Sequence, residues 1–392
     1  MFVVERKCLT IINWSKENVY KIKYDEKSPE NPDESDSIRK QREAIEPWLT
    51  ALFQSENLSL LVGNGLTKAV AKLAGAESPD MSMKKFSIYN DKINEKARIT
   101  ASYARRGEPN FEDQIRVASR LIYGLNMVGF TRKAKELEKE LNRILKDFIL
   151  KIGKTEAIIM RNVKKNYKSE KSHGESIFNA IDYLVSFLYS FSSRVASRER
   201  LNIFTTNYDR LIEYAADWAG IRLIDRFVGT LTPHFRTSRM NIDFHYNPPG
   251  IRGEPRYLEG VARYTKLHGS IDWYYQDNCI IRRSLPFGEL NNETLLPEKP
   301  ADTIMVFPNE AKDRETADYP YVELFRDYAA TICKPNSVLV TYGYSFGDEH
   351  INRVIKDMLT IPSTHLLIIS YDNPWSRVSR FVNDVTRPAQ IS

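Results

Sequence analysis

The sequence predicts an α/β protein: a parallel sheet with helices on both faces and an inserted helical subdomain. Three observations predict it. Short apolar runs alternate with helical patterns over residues 59–370, the order that builds a parallel sheet. Residues 80–200 break that alternation, with helical spacing and no good strand. Glycine-bearing or polar turns follow several of the runs, and in an open α/β sheet ligands bind at the carboxyl ends of strands.

Taken in order, Phe2–Trp14 holds a strand or hairpin, and residues 22–37, charged and with two prolines, read as a loop. Between Arg39 and Ser55, Ile45, Trp48, Leu49 and Leu52 recur at helical spacing. Ser59–Val62 is a strand running into Gly63-Asn64-Gly65, and Thr67–Leu73 a helix with Val70 and Leu73 inward. Phe111–Met127, Lys133–Ile152 and Phe178–Val195 read as helices of the insertion; Leu137, Leu141, Ile144 and Phe148 share one face. The basic run Arg161–Glu175 reads as an exposed turn between two of them. Further strands are expected at Asn202–Thr205, Arg263–Leu267, Thr303–Phe307, Ser337–Thr341 and His365–Ser370. Helices are expected between them at Arg210–Ala219, Val322–Ile332 and Glu349–Leu359. Residues 228–262 and 276–300, rich in Pro, Gly and Asn, read as long loops, often lids or binding loops.

The 392 residues suit one elaborated domain or two closely packed ones, and 42% hydrophobic with 11% aromatic residues is globular. A net charge of +6, from 57 basic against 51 acidic residues, permits nucleic-acid contact without arguing for it, because the signs are mixed. Cys8, Cys279 and Cys333 are odd in number and far apart, with no CxxC, which argues against a disulfide framework and a four-cysteine zinc site. That usage fits a reducing, cytoplasmic setting. Glu5, Arg6 and Lys7 occupy what would be the apolar core of a signal peptide, so no targeting sequence is expected. The most apolar stretch, Tyr183–Phe191, is far short of the ~20 residues that span a bilayer, so no membrane segment is expected.

Four short segments carry chemistry, each with a bland reading beside it. Gly63-Asn64-Gly65-Leu66-Thr67 is either an ordinary tight turn or a loop whose amides and helix dipole approach a pyrophosphate. In Thr205-Thr206-Asn207-Tyr208-Asp209, Asp209 is either the cap of the helix starting near Arg210 or part of a site, whereas Asn207 precedes the cap and suits a ribose hydroxyl or a carboxamide. His268, followed by Gly269, is either a satisfied core histidine or a base whose pKa Trp273, Tyr274 and Tyr275 help set. Gly343 to Asn352 (GYSFGDEHIN) brackets a turn before a helix; Ser345 or Asp348 caps that helix, faces a ribose or phosphate, or does both. Ser370-Tyr371-Asp372-Asn373 is a turn by composition and a place to meet an adenosine by position. Pro109–Asp113 opens a helix, where acidic residues favour the dipole.

The order of these segments resembles the sirtuin-like (SIR2-like) family, most closely its bacterial anti-phage defence branch. The resemblance covers roughly residues 57–373 and implies a Rossmann-like fold that takes NAD+ as substrate and cleaves the nicotinamide–ribose bond. Residue by residue it implies Asn207 and His268 as catalytic; Asp209, two residues beyond Asn207, is a candidate for orienting them. It implies Gly63, Gly65 and Thr67 at the phosphates and Gly343, Ser345 and Asp348 along the ribose side; Asn64 and Thr206, inside the same polar turns, and Asp372, just after the last strand, are further nucleotide-binding candidates. Asn64 stands where the family usually has alanine. The four cysteines of zinc-bearing deacylases are absent, so no metal is expected. By the same pattern residues 1–55 form an N-terminal extension, a candidate for oligomer or partner contacts. Residues 56–392 are the SIR2-like domain, with 80–200 its helical insertion. The chain most resembles the NADase subunit of SIR2–HerA systems, which implies a homo-oligomer and a HerA-like hexameric ATPase as partner, with DNA contact only through that partner. Alternatives are a non-catalytic NAD or ADP-ribose-binding module, an NAD-dependent protein deacylase and, last, a DNA-processing protein.

Overall fold

The computed structural model describes residues 8–15, 19–25, 46–103, 108–173, 179–194, 198–238, 242–246, 256–277, 279–289, 296–300, 303–305, 319–370 and 375–392. The first described element is an antiparallel hairpin, β1 (Cys8–Ser15) with β2 (Val19–Asp25), so the expected loop at 22–37 starts inside a strand. Helical residues 46–53 (α1) lead into β3 (Asn57–Val62) and α2 (Asn64–Leu73). Leu66, Thr67, Val70 and Ala71 form the inward face of α2, while Leu73, expected inward, is exposed at its last position. The helical insertion follows, with α3 (Asn90–Tyr103), α4 (Phe111–Met127), α5 (Thr131–His173) and α6 (Ala180–Ser192). The expected turn at Arg161–Glu175 is instead the continuation of α5 to His173. Residues 154–173 contain neither proline nor glycine, so nothing local stops the helix, and its charges replace the apolar spacing without ending it.

The chain then returns to strands with β4 (Asn202–Thr205), α7 (Leu211–Ala219) and β5 (Arg222–Ile224). Four two-residue strands and four longer ones come next: β6 (Phe227–Val228), β7 (His234–Phe235), β8 (His245–Tyr246), β9 (Arg256–Tyr257), β10 (Val261–Lys266), β11 (Gly269–Gln276), β12 (Cys279–Arg282) and β13 (Thr303–Met305). The remainder is α8 (Tyr321–Ile332), β14 (Ser337–Tyr342), α9 (Glu349–Met358), β15 (His365–Ile369) and α10 (Trp375–Asn383).

Six strands form one sheet in the order β15-β14-β3-β4-β10-β5, each pair parallel. This α/β architecture, with helices on both faces, is the Rossmann-like arrangement the sequence predicts. Strands buried on both faces need apolar side chains at successive positions, which is why SLLV and VLVTY carry no polar alternation. Leu58, Leu60, Val62, Ile203, Val338 and Val340 share one core with α2, α6 and α7. Leu61, Phe204, Leu339 and Leu366 share the other with α8, α9 and α10. Helix α1 packs Trp48, Leu49, Leu52 and Phe53 onto the first core. The carbonyls at its end accept from the Arg194 guanidinium, Phe53 O at 2.7 Å and Ser55 O at 2.6 Å, which satisfies groups a helix terminus leaves open.

A five-stranded antiparallel sheet, β13-β11-β12-β7-β6, stands beside the first. It corrects two expectations. Thr303–Met305 pairs antiparallel with β11 rather than joining the parallel sheet, and β7 and β12 interrupt the expected loops at 228–262 and 276–300. The insertion has a third core of its own, from Phe86, Ile93, Phe111, Ile115, Leu141, Phe148 and their neighbours. That core also takes in Tyr208 and Ile271, residues beside the two polar turns. Among the described residues, no helix is long and apolar enough to cross a membrane.

Candidate functional site

The parallel register sets the site. Tyr342 pairs with Val62, Val62 with Thr205, and Thr205 with Lys266. Four chains therefore leave the sheet along one edge, at Gly343, Gly63, Thr206 and Leu267. Asn207 and His268 each stand two residues past a paired position, on adjacent strands.

The glycines are there because two backbones touch. A Cβ on Gly65 would lie 2.5 Å from Gly343 Cα, and one on Gly63 2.5 Å from Gly343 O. Gly343 also needs its left-handed φ of 60°. The Gly65 amide donates to Gly343 O at 2.9 Å, and Thr206 N donates to Val62 O at 3.1 Å, which binds the three turns into one rim. Gly343→Ala combines a backbone overlap with left-handed strain, so it is expected to cost at least about 2 kcal/mol. A denaturant midpoint equal to the wild type would contradict that.

Asn207 is buried at 7% exposure, and its carboxamide is held in one orientation. Thr67 Oγ1 donates to Asp209 Oδ2 at 2.5 Å, so its proton is committed and it can only accept from Asn207. Asn207 Nδ2 donates both to Thr67 Oγ1 and to Gly63 O, each at 3.0 Å. Asn207 Oδ1 is left buried with no hydrogen-bond partner among the described residues. A buried acceptor without a donor is costly, and a ligand that donated a hydrogen bond here would satisfy it. Asp209 also accepts from Leu211 N at 3.2 Å through Oδ1, so one carboxylate both steadies the start of α7 and orients Asn207 through Thr67.

Alternate residues of the turn face the other way. Tyr208 donates to Glu112 Oε1 at 2.6 Å, and burial with that carboxylate pushes the phenol well above its usual pKa, so it stays a donor. Arg210 forms a buried pair with Glu156 of α5: Nη2 to Oε2 at 2.5 Å, and backbone N to Oε1 at 3.0 Å. Glu156 is fully buried, and desolvation raises its pKa against the opposing pull of Arg210. Asn207 and Asp209 thus face the glycine rim, while Tyr208 and Arg210 anchor the same turn to the helical insertion.

His268 is 8% exposed and lies between two carboxylates. Its Nε2 is 2.7 Å from Asp348 Oδ2, and its Nδ1 is 3.8 Å from Glu112 Oε1. Asp348 Oδ1 accepts from His350 N at 3.1 Å and caps α9, so both oxygens of this residue have protein partners. Beneath the turn, buried Lys266 donates to the Asp209 carbonyl and to Glu213 Oε1 at 3.0 Å, fixing β10 to the start of α7.

Of the residues predicted for the phosphates and ribose, Gly63, Gly65, Thr67, Thr206, Gly343 and Asp348 gather at this rim. Asn64 is half-buried beside it, Ser345 is exposed, and Asp372 lies outside the described residues. Sequence reasoning missed Glu112, Tyr208, Glu156 and Lys266. Asn110 and Asp113 already complete the capping box of α4, so Glu112 was an acid beyond what the cap requires, the one sign available. Lys266 was legible only as a lysine inside an otherwise buried strand.

The fold and rim define an α/β protein with a polar site at the carboxyl edge of its parallel sheet. Residues 201–384 match the family model of the SIR2-like domain, a segment that contains Asn207, His268 and Asp348. SIR2-like domains use NAD+. No curated protein matches the chain. Among the described residues no group of three or more His, Cys, Asp or Glu is arranged to hold a metal ion.

Proposed function

We propose that the protein is an NAD+ glycohydrolase that cleaves the nicotinamide–ribose bond to give nicotinamide and ADP-ribose. The observation that carries this reading is the Asn207 carboxamide, locked by Thr67 and Gly63 with a buried acceptor left over, one strand away from His268. Nicotinamide leaves as a neutral group from a cationic ring, so the transition state is oxocarbenium-like. The enzyme then has to orient the ribose, stabilise developing charge and deliver a water. Asn207 Oδ1 accepts from a ribose hydroxyl or from the water. His268 takes the water's proton as general base. The carboxylates of Asp348 and Glu112 favour the positive ring that results. The N-terminus of α2, where the glycine rim leads into the helix, takes the dinucleotide phosphates.

Unchecked hydrolysis would empty a cell of NAD+, so the activity is gated. By its resemblance to defence NADases, the chain works as a homo-oligomer with a HerA-like hexameric ATPase and depletes NAD+ in response to phage, contacting DNA only through that partner. The test is nicotinamide release from NAD+ by the purified protein, alone and with such an ATPase. Release is expected in at least one condition, and His268→Ala is expected to lower it by ~10²–10⁴. Nucleotide bound without nicotinamide release in both conditions would instead indicate a non-catalytic binding module.

A further inference from the structure

We infer that Asp348 is a positioning residue that fixes the His268 tautomer, and that Nδ1, not Nε2, is the nitrogen that takes the proton. This rests on His268 acting as the base, as proposed above. A carboxylate only accepts hydrogen bonds, and Asp348 Oδ2 sits 2.7 Å from Nε2. The hydrogen of the neutral imidazole is therefore on Nε2, and the lone pair is on Nδ1. Asp348 is itself held, because its Oδ1 accepts from the His350 amide at the start of α9. The side of the ring that reacts is then the side of Glu112, whose Oε1 is 3.8 Å from Nδ1 and is fixed by the Tyr208 hydroxyl at 2.6 Å.

The step balances. A water O–H bond breaks and an Nδ1–H bond forms. The oxygen's electron pair makes the bond to C1′, and the C1′–N pair departs with nicotinamide. The proton then passes from the imidazolium to solvent, one per NAD+ hydrolysed. Glu112 faces the nitrogen that becomes charged, so it stabilises the imidazolium, whereas Asp348 sets which nitrogen that is.

Asp348→Asn separates the two jobs of this side chain. The amide has one oxygen, which keeps the cap on His350 N, since asparagine caps as well as aspartate. Its NH₂ then faces Nε2 and forces the hydrogen onto Nδ1. The experiment is ¹⁵N NMR of histidine-labelled protein, recorded above the imidazole titration, with His268→Gln used to assign one signal set among six histidines. The wild type is expected to show a protonated Nε2 and an unprotonated Nδ1, and Asp348→Asn the reverse. Turnover of Asp348→Asn is expected to fall by ~10²–10⁴ with KM little changed, as wrong-tautomer histidines do. Wild-type protein with the hydrogen on Nδ1, or Asp348→Asn with reversed tautomer and full turnover, overturns the inference. If His268→Gln itself keeps full nicotinamide release, the base reading fails, and the spectra still show whether Asp348 sets the tautomer.

Discussion

Asn207→Ala is expected to lower nicotinamide release from NAD+ by about 10²–10³, the usual effect of losing one preorganised group in a catalytic site. The side chain does two things. Its Nδ2 joins the β4 turn to the glycine rim through Gly63 O and Thr67 Oγ1, and its Oδ1 is the buried acceptor that the proposed reaction assigns to the ribose or the water. Truncation leaves Thr67 Oγ1 without its donor and Gly63 O with Leu66 N alone, at a stability cost of about 1–3 kcal/mol. Asn207→Asp is nearly isosteric but sets a carboxylate oxygen 3.0 Å from the Gly63 carbonyl, so it repels where asparagine donates. Both variants should lose turnover, and steady-state kinetics at saturating NAD+ checks it. A variant that unfolds no more readily than wild type and still turns over normally would show that Asn207 has no part in the reaction.

Glu156→Ala is expected to be the most destabilising single change near the site, at about 3–5 kcal/mol, the cost of leaving one partner of a buried pair alone. That is a large part of the ~5–15 kcal/mol by which domains are stable. The asymmetry between the partners is testable. Glu156, whose pKa is already raised by burial, can take up a proton when Arg210 is removed. Arg210 cannot lose its charge, and in Glu156→Ala it keeps the Leu285 carbonyl, the Phe287 ring at 5.6 Å and the field of the Asp272 and Glu213 carboxylates, none of which replaces the direct ion pair. Chemical denaturation should therefore rank Glu156→Ala below Arg210→Ala. Because the pair anchors the turn that carries Asn207, both should also slow turnover. Equal, small shifts in both variants would mean that the insertion does not hold the turn.

The parallel sheet and the two polar turns were legible in the sequence for a physical reason. Strands covered on both faces must be apolar throughout, so NIFT and SLLV stand out, and the first polar residues after them mark the sheet edge. The antiparallel sheet was not legible. Strands β6 and β7 have two residues each, too few to show any period, and β11 alternates only over Ser270-Ile271-Asp272-Trp273 before the pattern is lost at Tyr274-Tyr275. Helix α5 outran its apolar spacing because its charged continuation contains no helix breaker. At the site, Asn207 and His268 announced themselves by standing just past strands. Glu112 and Glu156 could not, because what matters about them is where α4 and α5 place them, a tertiary fact with no local signature.

The most direct measurement is nicotinamide release by Asn207→Ala, His268→Ala and the double variant, each against wild type. Groups acting on one transition state as a unit are not additive, so the double variant should be scarcely slower than the worse single one, and all three far below wild type. Wild-type turnover in both single variants would contradict a joint site at the ends of β4 and β10.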